Sequence, residues 1–341
     1  MVAGSCHAGS GGLPLSLAEA ACEVAAGPAV RGAALVALLE LLDATATTPE
    51  GCDFADELAA HATATAAGIL AELPSDEATD EWAEAEDEDT AEDAASVGRP
   101  GEAPEEALLE AALDAAGRLA GRGGAGAEGL RTAAAELLAR EVWQARHAGL
   151  LILLRLACAA PQDEIAGRAA AAAALQHFAH LHPRVRWAAL EVWARLLAAG
   201  LSAPVEFFQE ALEALIVAAG EDHYVRVQRR GLLVLLLMTS RPELPLLPAE
   251  RAEPLFCRVL LPHAASPAAE VRQACAGIAQ GLAVAIGLAD GERGSAMEGD
   301  APKLFALWHE LKEALERGAV AAMAGAGGVE DAEIEWPADW R

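Results

Sequence analysis

The sequence predicts an all-α fold, a solenoid of stacked helical pairs, on three observations. Hydrophobic residues make up 54% of the 341-residue chain while aromatics make up only 4%. The apolar content is therefore mostly alanine and leucine, which favour helix and supply little of the β-branched and aromatic material of a sandwich or barrel. No run alternates at period two, so no strand is expected. One pattern also recurs four times: a polar turn, a small or valine position beside arginine, then an apolar helix. Aligning Ala145, Val185, Val227 and Val271 gives spacings of 40, 42 and 44 residues, within the range of about 40–47 for HEAT and armadillo repeats. Such repeats stack into a right-handed superhelix, because a single helical pair cannot bury its own apolar face.

Each copy is a helix with its own partner. They read QARHAGLLILLRLA from Gln144, RVRWAALEVWARLL from Arg184, RVQRRGLLVLLLM from Arg226 and EVRQACAGIAQGLAVA from Glu270. A weaker copy begins at Val30. The partner helices precede them as EGLRTAAAELLAR, EIAGRAAAAAALQHFAHL, PVEFFQEALEALIVAAG and ERAEPLFCRVLLPHA. Pro161, Gly200, Pro204, Gly220, Pro242, Pro245 and Pro248 supply the turns between units. About six or seven repeats are expected over residues 13–324, after a disordered amino terminus of residues 1–12. Residues 74–104 are read as a disordered acidic insertion, because Asp76 to Asp93 holds eleven carboxylates and no base. The tail, residues 325–341, is glycine-rich and then acidic, and is expected to be disordered.

Charge narrows the function. With 52 Asp and Glu against 24 Lys and Arg, the formal net charge is -28, so phosphate repels the chain and direct nucleic-acid binding is not expected. The apolar runs 148–160 and 231–238 are shorter than the roughly 20 residues a membrane span needs. Met1 to Gly12 lacks a basic region followed by an apolar stretch, so no secretory leader is expected. The six cysteines are scattered without a C-x-x-C pair, which fits a reducing compartment, cytoplasm or nucleus. No nucleophile elbow, kinase signature or H-E-x-x-H sequence occurs, so neither catalysis nor a cofactor is expected. His177, His180 and His182 lack a cysteine or carboxylate at zinc spacing. The glycines from Gly121 to Gly129 have no strand before them and no G-K-[ST] after, so they read as a linker between helices.

Three motifs in order carry a family resemblance: DEWAEAEDED at Asp80–Asp89, REVWQARHAGLL at Arg140–Leu151 and HPRVRWAALEVWARL at His182–Leu196. Over about residues 80–238 the chain resembles the importin beta superfamily, of the importin 5 (karyopherin beta-3) and importin 4 type. In that family an acidic loop carrying a tryptophan interrupts one HEAT repeat, and W-x-x-R-H-A-G-L and H-P-R-V-R-[YW]-A-A mark the following ones. Members are about three times longer, as arrays that wrap large partners are, so the chain is expected to be a piece or a small relative of such a receptor. The resemblance implies a monomeric nuclear transport receptor that binds basic cargo or localisation signals on inner concave helices and the acidic loop. It further implies release by Ran-GTP and contact with nucleoporins. A HEAT scaffold without a transport role is the alternative, and an enzyme subunit related to HEAT-like lyases is a poorer third reading.

The candidate partner-binding residues are Trp82, Glu84, Glu86, Asp87, Glu88 and Asp89 in the acidic segment, with Trp143 and Trp187 at helix starts. Carboxylates beside a tryptophan can form an anionic clamp for a basic partner, through contacts that salt weakens. The bland reading of the segment is a solvated charge run. For Trp143 and Trp187 it is core packing, against a hot-spot role; core packing is the expectation for Trp193. Arg146, Arg186, Arg226 and Arg272, beside Val185, Val227 and Val271, are expected to be structural repeat positions that pair with acidic residues of the preceding turn or the neighbouring repeat.

Overall fold

The computed structural model describes residues 27–45, 52–72, 82, 104–160, 162–241, 249–266, 268–285 and 301–325. Among these every regular element is helical. Residues 1–12, most of the acidic insertion and the end of the tail lie outside them.

The described residues fall into two compact units, divided between Leu201 and Ser202. In the first, α1 (Pro28–Thr45), α3 (Pro104–Arg122), α5 (Trp143–Ala159) and α7 (Pro183–Ala198) pack side by side as one layer. Helices α2 (Cys52–Leu70) and α4 (Gly124–Leu138) form the opposing layer, and α6 (Glu164–Leu175) packs on α5 and α7. The acidic insertion therefore joins the two helices of one pair, α2 and α3. Leu35, Leu38, Leu39 and Leu42 show why α1 is a helix here: the three-and-four spacing puts all of them on one buried stripe. That stripe joins Leu58, Ala62, Ala66 and Leu70 of α2 and Ala112, Ala115, Ala116 and Leu119 of α3 in a continuous core.

Helix ends follow local chemistry. Gly123 and Gly124 take positive φ of 68° and 51° between α3 and α4, where a side chain would be strained. The turn is confined to this point: Gly121 lies inside α3 and Gly126 and Gly129 inside α4, so most of the stretch expected to be a linker is helical. Asp163 caps α6 by accepting from the Ala166 N–H at 3.0 Å. After α7, Gly200 at φ 89° lets its own N–H reach the Leu197 carbonyl and the Leu201 N–H reach the Leu196 carbonyl. This paired closure buries Leu201 and ends the helix.

In the second unit α10 (Val225–Thr239) and α13 (Ala269–Ala285) pack together as second helices. Their first helices are broken. α8 (Ala203–Glu206) and α9 (Phe208–Ile216) run into a π-helical turn at Val217–Glu221. α11 (Ala249–Pro254) and α12 (Leu261–Ala264) flank another at Leu255–Leu260. Gly220 lets the two π-turns touch, since a Cβ there would lie 2.1 Å from the Arg258 carbonyl oxygen. Arg258 then bridges Glu213 at 2.8 Å and Glu221 at 2.5 Å. α14 (Ala301–Gly325) closes the described chain. No helix among the described residues is long and apolar enough to cross a membrane.

Candidate functional site

The four aligned positions share one register. Ala145, Val185, Val227 and Val271 are each the third residue of their helix, in α5, α7, α10 and α13. Ala145, Val185 and Val227 are fully buried, whereas Val271 is half-buried. The residue after each reaches back six positions to a main-chain carbonyl. Arg146 Nε donates to the Arg140 oxygen at 2.7 Å, Arg186 to His180 at 2.7 Å, Gln228 to Asp222 at 2.6 Å and Arg272 to Ser266 at 2.8 Å. These bonds satisfy acceptors left open where the turn enters the second helix. Arg146 thus holds a carbonyl and the His180 ring rather than a carboxylate. In the third copy the clamp is Gln228; Arg226, half-buried, stands one position before Val227.

Because α5 and α7 are neighbours in one layer, their first turns meet. Trp143 opens α5 and His182 caps α7, and the two rings stack at 3.6 Å with planes 5° apart. One turn along α5, the buried His147 sits edge-on to Trp143 at 6.3 Å. Burial, with Arg184 and His182 nearby, pushes its pKa down to about 3, so it is neutral at physiological pH. Arg184, 7% exposed, lies in the first turn of α7. Its guanidinium sits 5.3 Å from the centre of the Trp82 ring, a cation–π contact. Trp82 also meets Trp187 edge-to-face at 5.9 Å.

Two expected site residues from different segments, Trp82 and Trp187, are therefore brought together, with Trp143 in the adjoining stack. Glu84, Glu86, Asp87, Glu88 and Asp89 lie outside the described residues. Trp193 is a core residue: it is fully buried, donates to the Ala171 carbonyl at 2.9 Å and packs against Phe178. Sequence reasoning missed Arg184, although R-V-R places it two residues before Arg186 on the approach to Trp187.

Of the three histidines, His180 is held by hydrogen bonds of its ring, whereas His182 is held by its stack on Trp143. His180 contacts Arg146 and the His182 N–H, while burial and the neighbouring cations lower the pKa values of His177, to about 4, and of His180. No group of three metal-ligating side chains occurs among the described residues. Separately, α2 and α4 leave a groove of about 620 Å³ lined largely by small residues, including Ala64, Ala67, Gly68 and Gly129. Its close packing depends on Gly129, where a Cβ would lie 3.3 Å from the Thr63 hydroxyl.

No protein-family profile matches the sequence, and no curated protein sequence matches it significantly. Solved structures do match. The karyopherin Kap121p bound to the extreme C-terminus of the phosphatase Cdc14p is 16% identical at a TM-score of 0.60, and Kap121p bound to Nup53p is 17% identical at 0.60. Kap121p bound to RanGTP is 16% identical at 0.61. In all three the match covers 91% of this chain but 29% of the Kap121p chain. The fold is thus the HEAT solenoid of karyopherin-β structures, and the chain spans less than a third of the Kap121p length.

Proposed function

We propose that this chain is a nuclear transport receptor, or a segment of one, of the importin 5 and importin 4 type. It captures basic cargo or localisation signals in the cytoplasm and releases them to Ran-GTP in the nucleus, with nucleoporins as further partners. The observation that carries this reading is the match of nine-tenths of the chain to Kap121p, a karyopherin crystallised with RanGTP and Nup53p. Trp82 adds to it, because its contacts with Arg184 and Trp187 tether the acidic segment to the helical array. Carboxylates next to that tether would concentrate a lysine- or arginine-rich segment near the aromatic cluster, through long-range attraction that salt screens.

The test is a titration of the purified chain with a basic localisation peptide at low and physiological salt, with and without Ran-GTP, beside a deletion of residues 74–104. Salt-sensitive binding that the deletion weakens and Ran-GTP reverses is the expected result. Binding that ignores salt, deletion and nucleotide state would favour a HEAT scaffold with an unrelated partner, and no binding would overturn the anionic clamp.

A further inference from the structure

His180 is asked to accept two hydrogen bonds. Its Nδ1 lies 3.0 Å from the donating main-chain N–H of His182, and its Nε2 lies 3.1 Å from Arg146 Nη1. A neutral imidazole has one ring nitrogen that accepts and one that donates. The His182 N–H is fixed by the backbone, so Nδ1 takes the accepting role and Nε2 carries the hydrogen. That N–H and the Arg146 guanidinium are then two donors turned toward the same space. Among the described residues, the Arg146 side chain makes no hydrogen bond or ion pair beyond the Arg140 carbonyl and this ring edge.

The surroundings add positive charge. Arg146 lies in the first turn of α5, and Arg184 and Arg186 in the first turn of α7. At those positions the helix dipoles already favour an anion. His147 is 6% exposed, and its Nδ1 has no hydrogen-bond partner. The charged or titratable groups acting on His147, His177 and His180 are Arg146, Arg184, Arg186 and other histidines. Cationic side chains therefore gather at these turns in a chain of net charge -28. Two large apolar side chains flank it unusually exposed, Leu181 at 95% and Val142 at 58%.

We propose that the edge formed by Arg146 and His180 binds a carboxylate, presented by an acidic side chain of a partner peptide whose apolar neighbours lie on Val142 and Leu181. A planar guanidinium beside an imidazole N–H matches the two oxygens of a carboxylate. The site is opposite in charge to the cargo clamp and does not rest on the transport reading.

The full chain is titrated by calorimetry with a capped peptide alternating leucine and glutamate, with its leucine–glutamine counterpart, and with inorganic phosphate. We expect saturable binding of the glutamate peptide, about tenfold or more tighter than the glutamine peptide, since bonds to charged groups are the strong ones. Arg146→Met and His180→Leu each weaken it by about tenfold, and ring nitrogen resonances of His180 shift on binding. Arg146→Met also removes the clamp on the Arg140 carbonyl, whereas His180→Leu keeps it, so a folding defect in the former leaves the test intact. Arg131→Met, at an exposed pair with Glu128, serves as the unaffected control. Equal affinity for the two peptides, unchanged affinity in both variants, absent binding, or binding of phosphate alone would each overturn the assignment.

Discussion

At the scale of single residues, His147 converts burial into acid sensitivity. Its folded pKa of about 3 lies well below the ordinary 6.5, and desolvation is the first cause, with Arg184 and His182 adding to it. In the unfolded chain the ring takes a proton as pH falls through 6.5, whereas in the folded chain it resists until about 3. Stability is therefore lost between those values, at about 1.4 kcal/mol per pH unit, and is unaffected by this ring above neutrality. Between pH 7 and pH 5 the loss from His147 alone is about 2 kcal/mol. His147→Leu removes both the titration and the unpaired Nδ1, so urea unfolding at the two pH values should show an acid penalty smaller by about that amount. An unchanged penalty would mean that the ring charges in place. The aromatic contacts were legible only in part. Trp82 and Trp187 were visible as candidates, but their meeting depends on a chain return from the insertion, which no local spacing encodes. His182 was weighed as a zinc ligand and set aside, but no spacing in the sequence showed that its ring stacks on Trp143.

At the scale of elements, the repeat register was the most legible feature, because a buried third residue and a clamp behind it impose a spacing on the sequence. All four aligned positions fall at the third residue of a helix, and α1 has Val30 at the same place, there exposed rather than buried. The identity of the clamp was less legible: Val227 has arginine on one side and glutamine on the other, and the glutamine reaches the carbonyl. The π-turns were not legible, since an inserted residue leaves the apolar period almost unchanged. Helix–helix distance is set by glycines the sequence does not rank. At Gly281, on α13, a Cβ would lie 2.2 Å from the Thr239 carbonyl oxygen of α10. At Gly68, on α2, it would meet nothing within 4 Å. Alanine gains about 1 kcal/mol of helix propensity at either site, but overpacking against backbone costs about 1–3 kcal/mol. Gly281→Ala should thus destabilise while Gly68→Ala stabilises by about 0.5–1 kcal/mol, a difference of sign that denaturant titration resolves. Stabilisation by Gly281→Ala would show that α10 and α13 can separate without loss.

For the whole molecule, charge was read straight from composition, but its distribution was not. The chain carries a net charge of -28, yet Arg146, His147, Arg184 and Arg186 collect at the starts of α5 and α7. Opposing the self-repulsion of the chain are ion pairs such as Arg118 with Glu40 and Asp43, Arg258 with Glu213 and Glu221, and Lys303 with Glu253. Their partners are substantially exposed, and such pairs contribute about 0–1 kcal/mol each. Self-repulsion instead sums over every unmatched carboxylate and disfavours the compact state. Salt screens both, over a Debye length of about 10 Å at 0.1 M, so the larger contribution decides the sign. The excess of 28 negative charges is the larger. Raising sodium chloride from about 20 to about 300 mM, across which the screening length shortens several-fold, should therefore raise the melting temperature followed by circular dichroism. The same change should weaken a bound basic peptide, so stability and binding move in opposite directions with salt. A melting temperature that falls would show that the bridges at Arg118 and Arg258 outweigh the repulsion, and that the carboxylates are already neutralised by contacts within the chain.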